Sequence, residues 1–286
     1  MTLAELIART ERTLLAAGLH YGHGTENAHD EAAWLVLRGL GLPFNADLSQ
    51  PTSDLAHIER LVEQRVDQRI PVAYLLKEAW LAGQPFYVDE RVIIPRSHLA
   101  ELLPQWKASR PRRVLDLCTG SGCLAILAAK AFPSASIDAV DISPAALAVA
   151  RKNIARHRLG RRVHAKRSDL FARLQGERYD LILSNPPYVN AASMGKLPPE
   201  YRHEPRIALA GGTDGLDLVA RMLAEAPDHL EADGLFVCEV GDGQAAVRRR
   251  FPRLRLTWPK PEVFAYRLAR TERGAQKPPS RASRAR

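Results

Sequence analysis

The chain of 286 residues is poor in cysteine and in long apolar runs, and each shortage excludes a class of protein. Its three cysteines, Cys118, Cys123 and Cys238, lie in apolar stretches without metal-like spacing. We interpret them as small buried side chains and expect neither a disulfide framework nor a metal site. No segment approaches the roughly 18 apolar residues of a membrane helix. Residues 1–5 lack the basic and apolar regions of a signal peptide, so we expect a cytoplasmic protein.

Charge is spread unevenly along the chain, whose net charge is +9. Residues 1–69 carry six basic and ten acidic side chains, so this part is acidic within a basic protein. Residues 151–167 carry eight basic side chains and no acidic one, and residues 271–286 carry five against one and read as a basic disordered tail. Such runs either bind nucleic acid or form a solvated face, and both interpretations stay open.

Helical spacing dominates the first part of the chain. Apolar residues recur at helical intervals in residues 2–18, 26–40 and 51–69, which predicts three helices in a small domain at 1–75. Thr2 with Glu5 predicts the first helix start, and Thr52 or Ser53 predicts the third. Residues 79–95 alternate in a way that predicts a hairpin or a pair of short strands around Asp89-Glu90, within a linker at 76–105.

From residue 112 onward, strands alternate with helices. This pattern predicts an α/β fold in which a Rossmann-like, mostly parallel sheet of seven strands occupies a domain at 106–270. The predicted strands are 112–118, 136–142, 163–168, 179–185, 234–241, 252–257 and 262–269. The predicted helices are 121–131, 144–157, 214–229 and 243–250. The stretch 189–213 has no clear period, and we expect a functional loop there.

An apolar run at residues 179–184 ends abruptly at Asn185-Pro186-Pro187-Tyr188. Two consecutive prolines cannot continue a sheet, so we expect the strand to end in an extended turn. The Asn185 side-chain oxygen and the Pro186 carbonyl would accept the two N–H bonds of a planar NH2 group, while Tyr188 packs on its face. A strand-ending turn without a function is the alternative interpretation.

A glycine-rich turn, Thr119-Gly120-Ser121-Gly122, follows the first predicted strand, and Asp141 lies 19 residues beyond Gly122. This spacing fits a dinucleotide site, so an NAD-dependent oxidoreductase is one candidate. Asp116 favours another ligand, because a carboxylate at the mouth of the strand would repel a pyrophosphate and attract an ammonium group. S-adenosylmethionine carries such a group and a sulfonium, so we predict this cofactor, with its ribose hydroxyls bonded to Asp141.

Ser168-Asp169-Leu170 follows the third predicted strand and is expected on the adenine side of the same site. Asp169 would accept the exocyclic amino hydrogens and Leu170 would pack on the ring, although a helix cap is nearly as good an interpretation of Asp169. For Asp141 a cap is the weaker interpretation, because Ser143 already fills that role. The predicted cofactor-binding residues are Asp116, Cys118, Thr119, Gly120, Ser121, Gly122, Asp141, Ile142, Asp169, Leu170 and Asn185.

These motifs, together with Glu204-Pro205 and the run from Gly211 to Leu216, resemble the class I methyltransferases that modify protein glutamine on the side-chain nitrogen (the protein-glutamine N5-methyltransferase family). The similarity covers nearly the whole chain and implies a helical substrate-recognition domain at its start. It also implies that Tyr87 is an aromatic lid. Asn-Pro-Pro-Tyr alone is shared with methyltransferases that act on the adenine N6 of nucleic acid, which remain an alternative.

Two branches of the resembled family differ in their protein substrate. Ile94-Pro95-Arg96-Ser97, followed by Glu101, resembles the branch for the third protein of the large ribosomal subunit, whereas the branch for peptide release factors would have a proline at 97. The resemblance therefore implies a basic ribosomal protein as partner, free or in an assembly intermediate. The basic stretch at 151–167 would then either stay solvated or contact RNA of that intermediate. Asn185, Pro186 and Tyr188 are the predicted catalytic residues, and Pro187 and Tyr87 join them as predicted substrate-binding residues.

Overall fold

A computed structural model describes residues 1–52 and 54–267, and the predicted basic tail at 271–286 lies outside the described residues. The helices are α1 (Leu3–Ala16), α2 (Ala28–Gly39), α3 (Leu55–Asp67), α4 (Val72–Leu76), α5 (Leu99–Leu102), α6 (Cys123–Ala131), α7 (Pro144–Arg156), α8 (Ala191–Met194), α9 (Asp217–His229) and α10 (Gln244–Arg250). The strands are β1 (Ala79–Leu81), β2 (Gln84–Phe86), β3 (Arg113–Leu117), β4 (Ser136–Asp141), β5 (Val163–Arg167), β6 (Tyr179–Ser184), β7 (Leu230–Glu239), β8 (Leu256–Lys260) and β9 (Val263–Arg267).

Seven strands form one sheet in the order β5-β4-β3-β6-β7-β9-β8. Neighbouring strands are parallel except β9, which is antiparallel to both β7 and β8. The predicted α/β fold with a seven-stranded, mostly parallel sheet is therefore confirmed. β8 begins at Leu256 and not at the predicted 252, because a turn in which Leu254 N donates to Phe251 O occupies the intervening residues.

The sheet is buried on both faces, as its continuous apolar strands predict. Val114 of β3 packs on the face covered by α6, whereas Leu115 and Leu117 pack on the face covered by α9. This alternation follows from the two-residue period of a strand. Covered faces leave the carboxyl edge of the sheet as the place where polar side chains can meet a ligand.

The helical part begins as predicted. Glu5 N donates to Thr2 Oγ1 at 3.2 Å and Thr2 N donates to Glu5 Oε2 at 2.9 Å, which is the expected capping box. The start predicted at Thr52 is wrong, because α3 begins after Asp54, and Ser53, the alternative start, lies outside the described residues. Pro51 pairs with Thr2 in an isolated bridge and Thr52 N donates to Met1 O, so this stretch is held in place before the helix can start.

The predicted hairpin exists, but its turn lies elsewhere. β1 and β2 are joined by Ala82 and Gly83, whose φ angles are 48° and 70°. Two successive positive φ angles fit the two-residue turns whose twist matches that of paired strands. Asp89 instead follows the hairpin, and its carboxylate accepts hydrogen bonds from Tyr87 and Arg91. The turn predicted at Asp89-Glu90 is therefore wrong.

One cluster of buried side chains runs from the N-terminal helices through the hairpin region to α7 of the sheet domain. It includes Leu6 of α1, Leu35 of α2, Val92 and Val149 of α7. The predicted boundaries at 75 and 105 stay a prediction, since the packing is continuous across both. No helix among residues 1–52 and 54–267 is long and apolar enough to cross a membrane.

The predicted long loop between β6 and α9 carries α8 and two 3₁₀ turns, at Pro199–His203 and Arg206–Ala208. Gly211 N donates to Val189 O and Val189 N donates to Leu209 O, so the loop folds back beside the 185–188 turn. Its Glu200 is buried in the helical part, where its carboxylate accepts from His20 N at 3.1 Å and from the buried Arg65 at 3.2 Å. The loop therefore connects the carboxyl edge of the sheet to the N-terminal helices.

Candidate active site

The carboxyl ends of β4, β3 and β6 are neighbours, and the residues that follow them line a cavity of about 680 Å³, here called the glycine-loop cavity. Cys118 and Gly120 follow β3, Asp141 ends β4, and Asn185 follows β6. Three separate parts of the sequence are therefore brought to one edge of the sheet by parallel pairing, and each contributes to the wall of the cavity.

Gly120 and Gly122 are both in the left-handed region, with φ of 54° and 79°. A Cβ on Gly122 would lie 3.2 Å from the Cβ of Ala150, so this glycine allows α7 to pack closely. A Cβ on Gly120 would meet nothing within 4 Å, so the backbone here borders open space. The two predicted glycines thus have different physical functions, packing at 122 and access to the cavity at 120.

Asp141 lines the glycine-loop cavity and is fixed by two backbone donors. Gly120 N donates to Oδ2 and Ser143 N donates to Oδ1, both at 2.9 Å. Ser143 itself caps α7 by accepting from Ala146 N, so the predicted cap is confirmed. Burial raises the pKa of the Asp141 carboxyl, while the backbone hydrogen bonds oppose this shift. Each oxygen keeps a lone pair for a further donor.

Asp116 is not at the mouth of the strand, where we expected it, but is fully buried behind the glycine turn. Its Oδ2 accepts from Thr119 Oγ1 and from Ala125 N, and burial raises its pKa to about 7. Oδ1 has no hydrogen-bond partner among the described residues. Asp116 therefore shapes the turn, and a donor that reaches Oδ1 would find an unpaired buried acceptor.

Asp169 and Leu170 also line the glycine-loop cavity, as does the exposed Ile142. Asp169 Oδ2 accepts from Arg221 at 3.0 Å, in an ion pair whose two side chains are about half exposed. Leu170 is buried in the left-handed region, with φ of 46°. The adenine-side residues are therefore in the same cavity as Asp141, and the cation of Arg221 lies beside them.

Asn185 lines both the glycine-loop cavity and a second cavity of about 400 Å³, here called the tyrosine cavity because Tyr188 and Tyr201 line it. Asn185 Nδ2 donates to the Arg96 carbonyl at 3.1 Å. A carbonyl can only accept, so this bond orients the amide and leaves Oδ1 for another donor. Pro186 lines the tyrosine cavity and Pro187 the glycine-loop cavity, so the 185–188 turn lies between the two.

Three glycines lie so close to Tyr188 that a side chain on any of them would clash with it. A Cβ on Gly241 would lie 2.7 Å from Tyr188 Cε2, and one on Gly215 would lie 2.4 Å from Tyr188 O. At Gly211 a Cβ would lie 2.8 Å from both Tyr188 Cα and Pro187 O. Burial also raises the pKa of the Tyr188 phenol, so its ring is a neutral wall of the tyrosine cavity.

Comparison with known proteins identifies the family. Residues 97–197 match the model of the methyltransferase small domain. The chain is 50% identical over 268 residues to the ribosomal protein uL3 glutamine methyltransferase of Bordetella pertussis, with 90% of each chain covered. It is 46% identical over 275 residues to the protein of that name from Burkholderia pseudomallei, again with 90% of each covered. The chain belongs to the ribosomal protein uL3 glutamine methyltransferase family.

Solved structures support the fold of this methyltransferase. The catalytic domain of hMettl16, in complex with MAT2A 3'UTR hairpin 6, superposes with a TM-score of 0.50. The two are 15% identical, and the match covers 73% of this chain and 79% of that chain. A similarity at this identity shows a shared methyltransferase fold and nothing further.

Tyr87, the expected lid of this family, lines neither cavity. Its hydroxyl donates to Asp89 at 2.9 Å, and Lys152 Nζ lies 3.1 Å from the ring centroid. Tyr87 therefore packs against α7, where its backbone also bonds to the Asn153 side chain, and its role as a lid stays a prediction. The parts of the linker that do line the cavities are Arg91–Ile93 and Arg96.

Sequence reasoning missed several residues of this methyltransferase site. Arg96 lines the tyrosine cavity together with Tyr201 and Asp214, and Arg206 and Arg221 line the glycine-loop cavity. For Tyr201 and Arg206, the only sequence signal was the aperiodic loop at 189–213 that contains them. No spacing rule connects Arg96 with Asn185, because their contact depends on the tertiary fold. Among the described residues no cluster could hold a metal ion.

Proposed function

We propose that the protein transfers a methyl group from S-adenosylmethionine to the side-chain nitrogen of a glutamine in ribosomal protein uL3. The observation that carries this proposal is the place of Asn185, between the two cavities, with its NH2 group bound to the Arg96 carbonyl and its oxygen left to accept. The relatives supply the identity of the acceptor protein through their names. Modification of a ribosomal protein would take place in the cytoplasm.

The glycine-loop cavity fits the proposed cofactor. Asp141 offers free lone pairs to the ribose hydroxyls, and the space beside Gly120 admits the ligand close to the backbone. Asp169 and Leu170 are available to the adenine, although Arg221 already pairs with Asp169. Asp116 does not line the cavity, so its unpaired Oδ1 suits a buried water that relays to an ammonium group. When bound, the cofactor supplies an electrophilic methyl group on a sulfonium.

The chain's own residues would act on the acceptor amide by orientation and electrostatics. An amide nitrogen is a weak nucleophile because its lone pair is delocalised, so fixed geometry contributes most of the acceleration. Asn185 Oδ1 and the Pro186 carbonyl would accept its two N–H bonds and stabilise the positive charge that grows on nitrogen. The amide nitrogen, held in this way, would take the methyl group from sulfur, which would leave with the electron pair of its bond to that carbon. The surplus proton then leaves the nitrogen for an acceptor oxygen or water.

The choice between the methyl donor and NAD can be tested directly. We expect calorimetric titration to show saturable binding of S-adenosylhomocysteine and none of NAD at the same concentrations. Membership of a methyltransferase family favours S-adenosylhomocysteine. Binding of NAD alone would overturn the cofactor assignment.

A groove between α1 and α3 fits recognition of a basic protein substrate. It has a volume of about 390 Å³, with Ile58, Val62 and Val66 among its lining residues. Glu59, Glu63 and Asp67 also line it, spaced four residues apart and therefore on one side of α3. Glu59 pairs with Arg9, whereas no ion pair among the described residues involves Glu63 or Asp67. We propose that this acidic side attracts basic uL3 before it is buried in the ribosome.

Neutralising Glu59, Glu63 and Asp67 as their amides should reduce kcat/KM on intact uL3 severalfold, and more at low than at high salt. Complementary charge mainly raises the association rate, and salt limits its reach to about 8 Å at physiological ionic strength. Methylation of a short glutamine peptide should barely change. The matched control neutralises Glu225, Asp228 and Glu231, carried by α9 and the start of β7. Equal losses on protein and peptide, or a loss independent of salt, would contradict steering.

Contact with RNA is a separate proposal for the basic stretch at 151–167. Arg151 and Arg156 of α7 and Arg167 of the edge strand β5 are exposed, whereas Lys166 is paired with Asp138 at 2.8 Å. A row of exposed cations beside a sheet edge suits a phosphate backbone of an assembly intermediate. Replacing these arginines should leave methylation of free uL3 unchanged and slow methylation of uL3 in the RNA-containing intermediate. An unchanged rate on the intermediate would contradict RNA contact.

A further inference from the structure

The guanidinium of Arg96 is half-buried and is fixed by several contacts. Its Nη1 and Nη2 each donate to one oxygen of Glu204 at 2.6 Å, which is a two-bond fork. Nη1 also donates to the Ile94 carbonyl at 3.2 Å, and the group lies 5.3 Å above the ring of Tyr201. The Glu204 side chain is fully buried, so this pair is shielded from solvent and from salt.

The backbone around Arg96 is fixed on both sides by buried carboxylates. Ile94 N donates to Glu204 Oε1 at 3.0 Å. On the other side, Ser97 Oγ donates to Glu239 Oε2 at 2.6 Å, and Glu239 is buried at the end of β7. The carbonyl between these anchors is the one that accepts the Asn185 Nδ2 hydrogen. Arg96 therefore binds Glu204 through its side chain and orients the Asn185 amide through its backbone carbonyl.

We propose that Arg96 is a positioning residue for methyl transfer, whose ion pair with Glu204 holds the carbonyl that turns Asn185 Oδ1 toward the acceptor amide. This inference rests on the proposed function. Without the fork, the backbone at 96 can shift, and Asn185 loses the bond that distinguishes its oxygen from its nitrogen. Arg96 acts on the reaction through Asn185 and takes no part in bond formation.

Glu204 has a second effect, because Arg96 also lines the tyrosine cavity. A bare cation there would oppose the positive charge that grows on the acceptor nitrogen. The paired carboxylate of Glu204 neutralises it. The segment that carries Glu204 is in turn anchored to the helical part through Glu200 and Arg65. The N-terminal helices thereby help to set the geometry of the acceptor side.

A double-mutant cycle tests whether Arg96 acts through Asn185. We expect Arg96→Lys, which keeps the charge and loses the fork, to lower kcat about 10-fold with donor affinity unchanged. In an Asn185→Ala background the same substitution should cost nothing further, because the amide that it orients is absent. Glu204→Gln provides the second variant if Arg96→Lys does not fold. Because it also leaves the Arg96 cation unpaired in the tyrosine cavity, it should keep part of its loss in the Asn185→Ala background, but less than in the native background.

Arg38→Lys is the matched control, since Arg38 makes an equivalent fork with Glu78, at 2.9 Å for both bonds, in the helical part. Both arginine side chains are 27% exposed, so loss of packing should be similar. We expect this variant to match the thermal midpoint of Arg96→Lys and to keep normal kcat. Additive losses in the cycle, or normal kcat in both Arg96→Lys and Glu204→Gln, would overturn the inference. Normal turnover of Asn185→Ala alone would instead contradict the proposed function.

Discussion

Replacing Asn185 with alanine is expected to lower kcat by about 10²-fold, the usual effect of removing one preorganised electrostatic contact from a transition state. The affinity for S-adenosylhomocysteine should change little. The reason is that Asn185 Oδ1 is left free by the bond from Nδ2 to the Arg96 carbonyl, so it can meet the acceptor amide. Single-turnover kinetics with a glutamine peptide, together with calorimetry, separate the two effects.

The control for this experiment is Asn27→Ala. Asn27 also uses its side-chain oxygen, which accepts from Asp30 N at 2.9 Å, but it caps α2 and lines neither cavity. We expect a modest loss of stability, of about 1 kcal/mol, and normal turnover. Near-normal kcat in Asn185→Ala would remove the role assigned to the 185–188 turn.

Asp141→Ala is expected to weaken binding of S-adenosylhomocysteine by about 1.5 to 3 kcal/mol, the range for hydrogen bonds to a charged group. That loss corresponds to an increase in Kd of roughly 10-fold to 150-fold. Part of the lost affinity comes from the ribose contact. The rest arises because the Gly120 N–H would lose its acceptor, and the glycine turn would then lose its shape. Calorimetric titration of the variant measures the sum.

Asp180→Ala is the matched control, because Asp180 also accepts from two backbone N–H groups, those of Arg112 and Arg113 at 2.7 and 2.8 Å. It lies at the amino end of the sheet region, next to the start of β3, and lines neither cavity. We expect reduced stability and unchanged ligand affinity. Unchanged affinity in Asp141→Ala would show that other residues bind the ribose.

The residues that follow the strands were predictable because local chemistry determines them. Two prolines must end a strand, so the turn at 185–188 could be placed from the sequence. Likewise, Gly120 and Gly122 mark the strand-to-helix turn that forms at the end of β3. Parallel pairing then brings Asp141 and Asn185 to one edge without any further information.

Burial and long-range pairing were not predictable in the same way. A carboxylate at the end of a strand can point outward or inward, and Asp116 points inward because Thr119 and Ala125 N satisfy its Oδ2. Nothing in the sequence pairs Arg96 with Glu204, which are separated by most of the sheet domain. Tyr87, whose role as a lid came from a resemblance, follows β2, packs against Lys152 of α7 and lines neither cavity, so that role stays a prediction.

The central claim is that the acceptor is a glutamine side chain of uL3. The most direct measurement is incubation of purified uL3, a peptide release factor and ribosomal RNA, each with S-adenosylmethionine labelled in its methyl group, followed by mass mapping of the products. We predict one added methyl on a glutamine side chain of uL3, absent when Asn185→Ala replaces the native enzyme. A label on the release factor or on the RNA, with uL3 unmodified, would contradict the account.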